Sequence, residues 1–249
     1  MLNIVEQVRK KQPLIHHLTN DVVVNFTANG LLAFGGSPIM AKEFDEMEDM
    51  ASIADGVLIN IGTMIKQELD AMIVAGKTAN RRGIPVVLDP VGVAASNFRR
   101  NAVQTLLKEI NFTAIKGNAG EMAHLVDIAW ETKGVESVDD DVSQLEEIAI
   151  KVARKYNTIA IVTGEIDVIC KDDQVKTNKT GHVLLTKITG AGCLLGSIVT
   201  ACLTTNAYPF DACHEAVTFY GKAAEVAAEK SGVNGSGTFL PHFIDALAL

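Results

Sequence analysis

No CxxC pair occurs among the four cysteines, Cys170, Cys193, Cys202 and Cys213, and none of them has a partnered spacing. In a chain of 249 residues this argues against a disulfide framework or a zinc site and predicts free thiols. An excess of positive charge is missing too. With 22 basic and 30 acidic residues the net charge is −8, which argues against nucleic acid as a partner but leaves small anionic ligands open. The first residues, MLNIVEQVRKKQ, lack the apolar stretch of a signal peptide, because Glu6, Arg9, Lys10 and Lys11 interrupt it. One run, 188–210, has no charge and is long enough to span a bilayer. Gly190, Gly192, Gly196, Ser197, Asn206 and Pro209, with several threonines, make it too polar for that. It reads as a glycine-rich loop entering a buried helix, and the protein is expected to be cytoplasmic, with no membrane contact. Internal repeats, low-complexity tracts and Pro/Ser-rich linkers are absent as well, so a single domain over 1–249 is the simplest expectation.

What is present is an ordinary folded composition, 48% hydrophobic and 21% charged. Short β-branched runs at 14–18, 56–61, 85–89, 113–116, 158–163, 168–171 and 175–178 predict strands. Helical periodicity covers 22–34, 65–82, 99–110, 119–128 and 142–156. Near-continuous apolar runs such as 57–61 suit strands covered on both faces, and strand–helix alternation predicts an α/β layered fold with a mainly parallel sheet. The closely spaced strands after Thr158 predict an antiparallel addition at one edge, followed by a helical C-terminal third. In such sheets ligands gather where strands end and helices begin. Polar or glycine-rich clusters stand at those places: His17–Asp21, Gly62–Thr63, Asp89–Gly92, Lys116–Glu121 and Thr163–Gly164. Five such ends suggest one shared site.

The sharpest motif is Thr189-Gly190-Ala191-Gly192-Cys193, opening a helix expected over 194–205. Two glycines before a helix let several N–H groups converge on one point, and the helix start adds partial positive charge, which makes an anion hole. GxxxxGK[ST] is absent, so this is no Walker A loop. A tight turn with close helix packing would use the same residues. Cys193, in the first turn, is a thiol whose pKa such a position tends to lower, suited to thiolate, nucleophile or base; the alternative is a small core residue. Cys170, Cys202 and Cys213 read as core. Asn118 and Glu121, at i and i+3, form either a helix-capping pair or a site where the carboxylate holds magnesium beside phosphates. Lys116 supplies a cation nearby, and Asp89, ending PVVLD, is a second candidate metal carboxylate. His16 and His17 are neighbours on a strand and point to opposite faces, so they are no metal pair. His124, His182, His214 and His242 have no partner at ligand spacing. Asp139–Asp141 read as a solvated loop before a helix, and Met40 as pocket lining or packing.

These segments resemble the hydroxyethylthiazole kinases of the ribokinase-like superfamily along nearly the whole chain: HHLTNDVVVNFTANGLLAFGGSPIMA, LINIGT, VVLDPVG, IKGNAGE, IVTG and TGAGCLLGS. The resemblance implies a three-layer αβα fold with a central, mainly parallel sheet. It also implies ATP-dependent phosphorylation of the primary hydroxyl of hydroxyethylthiazole, in thiamine salvage, with Mg²⁺. By resemblance Asn20, Met40 and Gly190 contact the thiazole, with Gly62 and Thr63 beside them. Lys116 and Thr163 contact ATP, and Asp89 and Glu121 serve the metal. Cys193 stands at the base position, with Gly190 and Gly192 in the anion hole. A homotrimer with sites at subunit contacts is implied as well. Many relatives carry Arg in place of Lys116 and Ser in place of Gly120; lysine keeps the charge but gives up bidentate geometry. Competing expectations are a kinase for another small alcohol such as hydroxymethylpyrimidine, a non-catalytic metabolite sensor, and a hydrolase using Cys193 as nucleophile.

Overall fold

The computed structural model describes residues 3–130 and 138–249, and for 138–141 the backbone only. Its core is one eight-stranded sheet of β1 (Leu14–Leu18), β2 (Ser37–Ile39), β3 (Gly56–Asn60), β4 (Val86–Asp89), β5 (Ala114–Asn118), β6 (Ile159–Thr163), β7 (Asp167–Lys171) and β8 (Gln174–Asn178), in the spatial order β2-β1-β3-β4-β5-β6-β7-β8. The first six strands of that order run parallel, and β7 and β8 add antiparallel at the edge, as expected from the close spacing after Thr158. Alternation along each strand divides the core. Val57, Ile59, Val86, Leu88 and Ile115 face one helical layer, while Leu58, Val87 and Ala114 face the other.

The first layer is α3 (Met47–Ile53), α4 (Glu68–Arg82), α5 (Asn97–Glu109), α6 (Ala119–Leu125) and α7 (Val138–Tyr156). The second is α1 (Ile4–Lys11), α2 (Val24–Phe34), α8 (Ala191–Leu203), α9 (Pro209–Ala228) and α10 (Ser236–Leu247). The result is a three-layer α/β fold. Every residue of α8 from Cys193 to Leu203 is buried, because the helix lies on β1, β3 and β4 and is covered by α2 and α9. That accounts for the charge-free run 188–210: a helix wrapped in protein on all sides is apolar all round. Among the described residues no helix is long and apolar enough to cross a membrane.

Several boundaries differ from expectation. β2 is a strand although it holds Pro38, which an edge strand tolerates because one side needs no ladder hydrogen bond. α1 has a capping box, with Asn3 and Glu6 exchanging side-chain and backbone hydrogen bonds, and α3 likewise lies outside the segments expected to be helical. α6 stops at Leu125 rather than 128, where Asp127 turns left-handed with φ 57°. α8 begins at Ala191 rather than 194, so the glycine motif is the first turn itself. α7 begins at Val138, which puts Asp139–Asp141 in a helical turn rather than a preceding loop; their side chains lie outside the described residues.

His16 and His17 do point apart. His16 Nε2 lies 3.0 Å from Ala41 O, whereas His17 reaches α8 on the other face. A carbonyl only accepts, so His17 Nδ1 carries the proton donated to Ile15 O (2.9 Å), and Nε2 accepts from Ser197 Oγ (2.7 Å). Burial pushes the His17 pKa down from 6.5 to about 4. Because the folded value lies below the unfolded one, the unfolded state takes up protons first, and stability falls as the pH drops from 6.5 towards 4. That difference corresponds to about 3 kcal/mol at the acid end of the window. A His17→Gln variant should therefore lose melting temperature at pH 7 yet show a flatter profile between pH 7 and 4 than the parent. Parallel pH profiles for the two proteins would exclude His17 as the cause.

Candidate active site

Strand alternation also aims the polar strand ends. Asn60, Asp89 and Lys116 each stand two residues beyond Leu58, Val87 and Ala114, and so turn to the same face as α8. There they close a ring. Lys116 Nζ donates to Asp89 Oδ2 (3.2 Å) and to the carbonyl of Gly192 (3.0 Å). Asn60 Nδ2 donates to Asp89 Oδ2 (2.9 Å), and Asn60 Oδ1 accepts from Asn20 Nδ2 (3.0 Å) and from the Gly62 amide (2.9 Å). Asn20 Nδ2 reaches Cys193 Sγ at 3.3 Å, next in chain to Gly192. Four strand ends and the start of α8 are thereby joined through buried side chains.

The start of α8 has the geometry of an anion hole. Gly190 caps the helix with φ 90°, and a Cβ there would stand 2.5 Å from Val23 Cγ1, so both its backbone and its surroundings require glycine. The Leu194 amide is the first to bond within the helix, to Gly190 O, and helix geometry leaves the amides of Ala191, Gly192 and Cys193 for a ligand. Tyr220 of α9 donates from its hydroxyl to Ala191 O (2.6 Å) and holds this turn in place. A cleft of about 800 Å³ opens beside it, lined among others by Thr163, Gly164, Lys179, Gly181, Gly192 and Tyr220. That volume lies in the range of small-molecule sites.

Burial dominates the electrostatics. Asp89 is pushed up to about 6 by desolvation and by Glu121, against the pull of Lys116 and Asn60, and its Oδ1 is buried with no hydrogen-bond partner. Lys116 is raised overall: its burial acts downward, but Asp89, Cys193 and Glu121 outweigh it. The expectation of a lowered Cys193 thiol is corrected. Burial and Asp89 raise it, and Lys116 and the donors Asn60 and Asn20 offset only part of that. The helix start is not enough to overcome desolvation and a neighbouring carboxylate. Cys170, Cys202 and Cys213 are buried core thiols, as read.

The other expected positions fall around this ring. Thr63 Oγ1 accepts from the Asp21 amide (2.9 Å), joining the loops after β1 and β3, and a Cβ on Gly62 would stand 2.9 Å from Asn20. Thr163 pairs with Asn118 across β5 and β6 and donates to Gly117 O (3.2 Å) at the cleft wall. Met40 stands just past β2, the strand that neighbours β1, and is half-buried; Asn20 lies just past the end of β1. Glu121 forms the capping box with Asn118, and its Oε1 also accepts from the Gly92 amide (2.8 Å), tethering the loop after β4. Both of its oxygens therefore serve backbone groups. Sequence reading passed over Asn60, Arg99 and Tyr220. Arg99 donates to the carbonyls of Ile61, Gly62 and Val91, clamping two strand-end loops. Asn60 had a signal, a lone amide ending the apolar run GVLIN; Arg99 and Tyr220 lie in helices remote in sequence and had none.

A mainly parallel sheet flanked by helices, with a glycine-capped helix start at the carboxyl ends of its strands, is the ribokinase-like fold. A ribokinase-like superfamily protein from Enterococcus faecalis matches with a TM-score of 0.64 at 11% identity, covering 94% of this chain and 86% of its own, a likeness of fold alone. The chain belongs to the hydroxyethylthiazole kinase family, which it matches over residues 5–249. It is 58% identical to hydroxyethylthiazole kinase 1 of Oceanobacillus iheyensis, over 99% of this chain and 95% of that protein. The structure of hydroxyethylthiazole kinase protein from Pyrococcus horikoshii OT3 matches with a TM-score of 0.89 at 34% identity, covering 98% and 91% of the two chains.

Removing one partner of the buried pair strands the other. Lys116→Met should cost about 3–5 kcal/mol, and pairing it with Asp89→Asn should recover part of that loss. Urea unfolding of the two single variants and the double checks this. Strictly additive losses would mean that the two groups do not support one another.

Proposed function

We propose that the chain uses this site to transfer the terminal phosphoryl group of ATP to the primary hydroxyl of hydroxyethylthiazole, a step of thiamine salvage. The observation that carries the reading is the ring through Asn20, Asn60, Asp89, Lys116 and Gly192, which sets the start of α8 beside a cleft of nucleotide size. Thr163 borders the nucleotide in that cleft. Asn20, Met40, Gly62, Thr63 and Gly190 form the thiazole side. The substrate oxygen attacks the γ-phosphorus in line, a new O–P bond forms, and the bond to the β-bridging oxygen breaks as ADP leaves with its electrons. The amides of Gly190–Cys193 hold the transferring group, and Lys116 offsets phosphate charge. The substrate's proton passes to the thiolate form of Cys193, which is the minor form at neutral pH. Since positioning and charge carry most of phosphoryl transfer, this base adds about 10²-fold or less.

Mg²⁺ fits the site: the orphaned Asp89 Oδ1 is a hard oxygen donor with nothing else to bind, and Glu121 stands close enough to act on the charge of Asp89. Asp89 and Glu121 would hold the ion, which would supply positive charge to offset that of the phosphates. The whole chain is read as one kinase domain, cytoplasmic and homotrimeric. Exposed Val22, Leu32, Phe44 and Ile53, in the chain segments before and after β2, support such an apolar contact.

ATP consumption with hydroxyethylthiazole, and little with hydroxymethylpyrimidine, is the primary test. Binding without turnover would favour a sensor, and acyl release without ATP a hydrolase. A raised thiol leaves little thiolate at neutral pH, so kcat should climb as the pH rises above 7. Cys193→Asp should stay active with a flatter profile, because aspartate ionises well below that range. Cys193→Ala should fold and bind but turn over more slowly. A dead Asp variant beside a fully active Ala variant would sink the base assignment. Glu121→Gln presents an amide donor to a backbone N–H and should lose about 1–2 kcal/mol of stability while needing more Mg²⁺ for half-maximal rate. An unchanged Mg²⁺ titration would leave Glu121 only its cap and tether.

A further inference from the structure

Away from the active site, one cavity gathers positive charge on an otherwise acidic chain. It encloses about 400 Å³ between α5, α6 and α7. Val93, Val103, Leu107 and Leu125 give it an apolar floor, while Arg100, Lys108, Lys155 and His124 stand against a single acid, Asp127. Some of these groups build the wall: Lys155 Nζ and the Tyr156 hydroxyl both donate to Leu125 O, at 2.9 and 2.8 Å. The side chains of Lys108 and His124 make no hydrogen bond among the described residues, so their donors remain for a ligand.

The cavity is also tied to the active site through the loop that follows β4. Val93 opens the short 3₁₀ turn Val93–Ala95, four residues past Asp89. Arg100 Nη1 holds that turn at Ala94 O (3.0 Å). The Gly92 amide is held by Glu121, and His124 follows Glu121 by one turn of α6. A ligand drawing on Arg100 and His124 therefore pulls on both sides of the loop that carries Asp89.

We propose that this cavity is a second ligand site for a phosphate monoester with a small apolar body, and that its occupancy changes turnover through the Val93–Ala95 turn. A dianionic phosphate suits the uncommitted donors of Lys108 and His124 beside the charge of Arg100, while Lys155 is already paired with Asp127 at 3.5 Å. The floor requires an apolar group that inorganic phosphate lacks. The product of the reaction proposed above belongs to this chemical class, so the site would read product level. The link to turnover rests on that reading; the binding itself does not.

Phenyl phosphate is the probe, titrated by calorimetry into the full chain while a non-hydrolysable ATP analogue fills the nucleotide cleft. One site is expected, with inorganic phosphate binding about tenfold more weakly or worse. Lys108 is exposed and outside the kinase site, so Lys108→Glu should fold normally and weaken phenyl phosphate by about tenfold. Gln104→Trp, which fills the cavity from an exposed helix position, should abolish binding. Equal affinity in all three proteins, or no heat at all, overturns the site. In steady-state assays phenyl phosphate should lower kcat in the parent and less so in Lys108→Glu. Binding weakened by Lys108→Glu with kcat unmoved in the parent overturns the coupling.

Discussion

A lysine and an aspartate buried together beneath the start of one helix are the constraint from which the rest of this site follows. Taking both charges out of water costs several kcal/mol per ion, and their mutual attraction repays it only when the remaining donors and acceptors are satisfied. Lys116 spends one donor on Asp89 and another on Gly192 O, while Asp89 takes a second hydrogen bond from Asn60. Each compensating partner comes from a different element, so satisfying one ion pair fixes the relative positions of β3, β4, β5 and α8. Asn20 then extends the same network to the loop after β1. One oxygen is left over, since Asp89 Oδ1 is buried with no hydrogen-bond partner.

The helix start that this ring positions is fixed from the other side as well. Tyr220 grips Ala191 O from α9, and its ring packs edge-on against Phe243, 5.0 Å away, which in turn stacks on Phe239. Three aromatic rings in contact leave the tyrosine little rotamer freedom, and through it the first turn of α8. Such rigidity suits phosphoryl transfer, where donors aimed in advance at the moving charge matter more than a strong base. Cys193 illustrates this. Its surroundings raise the thiol, so it is a poor proton acceptor at rest, in a site whose main contribution is geometric.

Glu121 joins capping to function. A carboxylate that closes a capping box on α6 and also holds Gly92 is structural in every contact it makes, yet it lies near enough to raise Asp89. Structural and electrostatic roles need not compete when the same side chain tethers the loop whose last strand residue is the acid in question. Arg99 performs the same tethering with three carbonyls, and the two clamps together hold the loops after β3 and β4 around the ring.

Much of this was legible in the chain. Apolar runs with period two, strand–helix alternation and polar residues at strand ends dictated the layered fold, the antiparallel edge and five of the loops that surround the site, because hydrophobic periodicity is a local property. TGAGC announced a helix start with converging amides, since glycine spacing restricts backbone geometry directly. What the chain could not announce is which groups meet after 30 or 170 residues of intervening sequence, as Asn60 meets Asp89 and Asn20 meets Cys193. Nor could it give the sign of the Cys193 shift. A helix start favours thiolate, but only the packed structure shows how deeply the thiol is buried and that a carboxylate faces it. Local pattern determined the elements and the candidate chemistry, and tertiary packing decided partners and proton affinities, because desolvation and Coulomb interaction depend on distances through space.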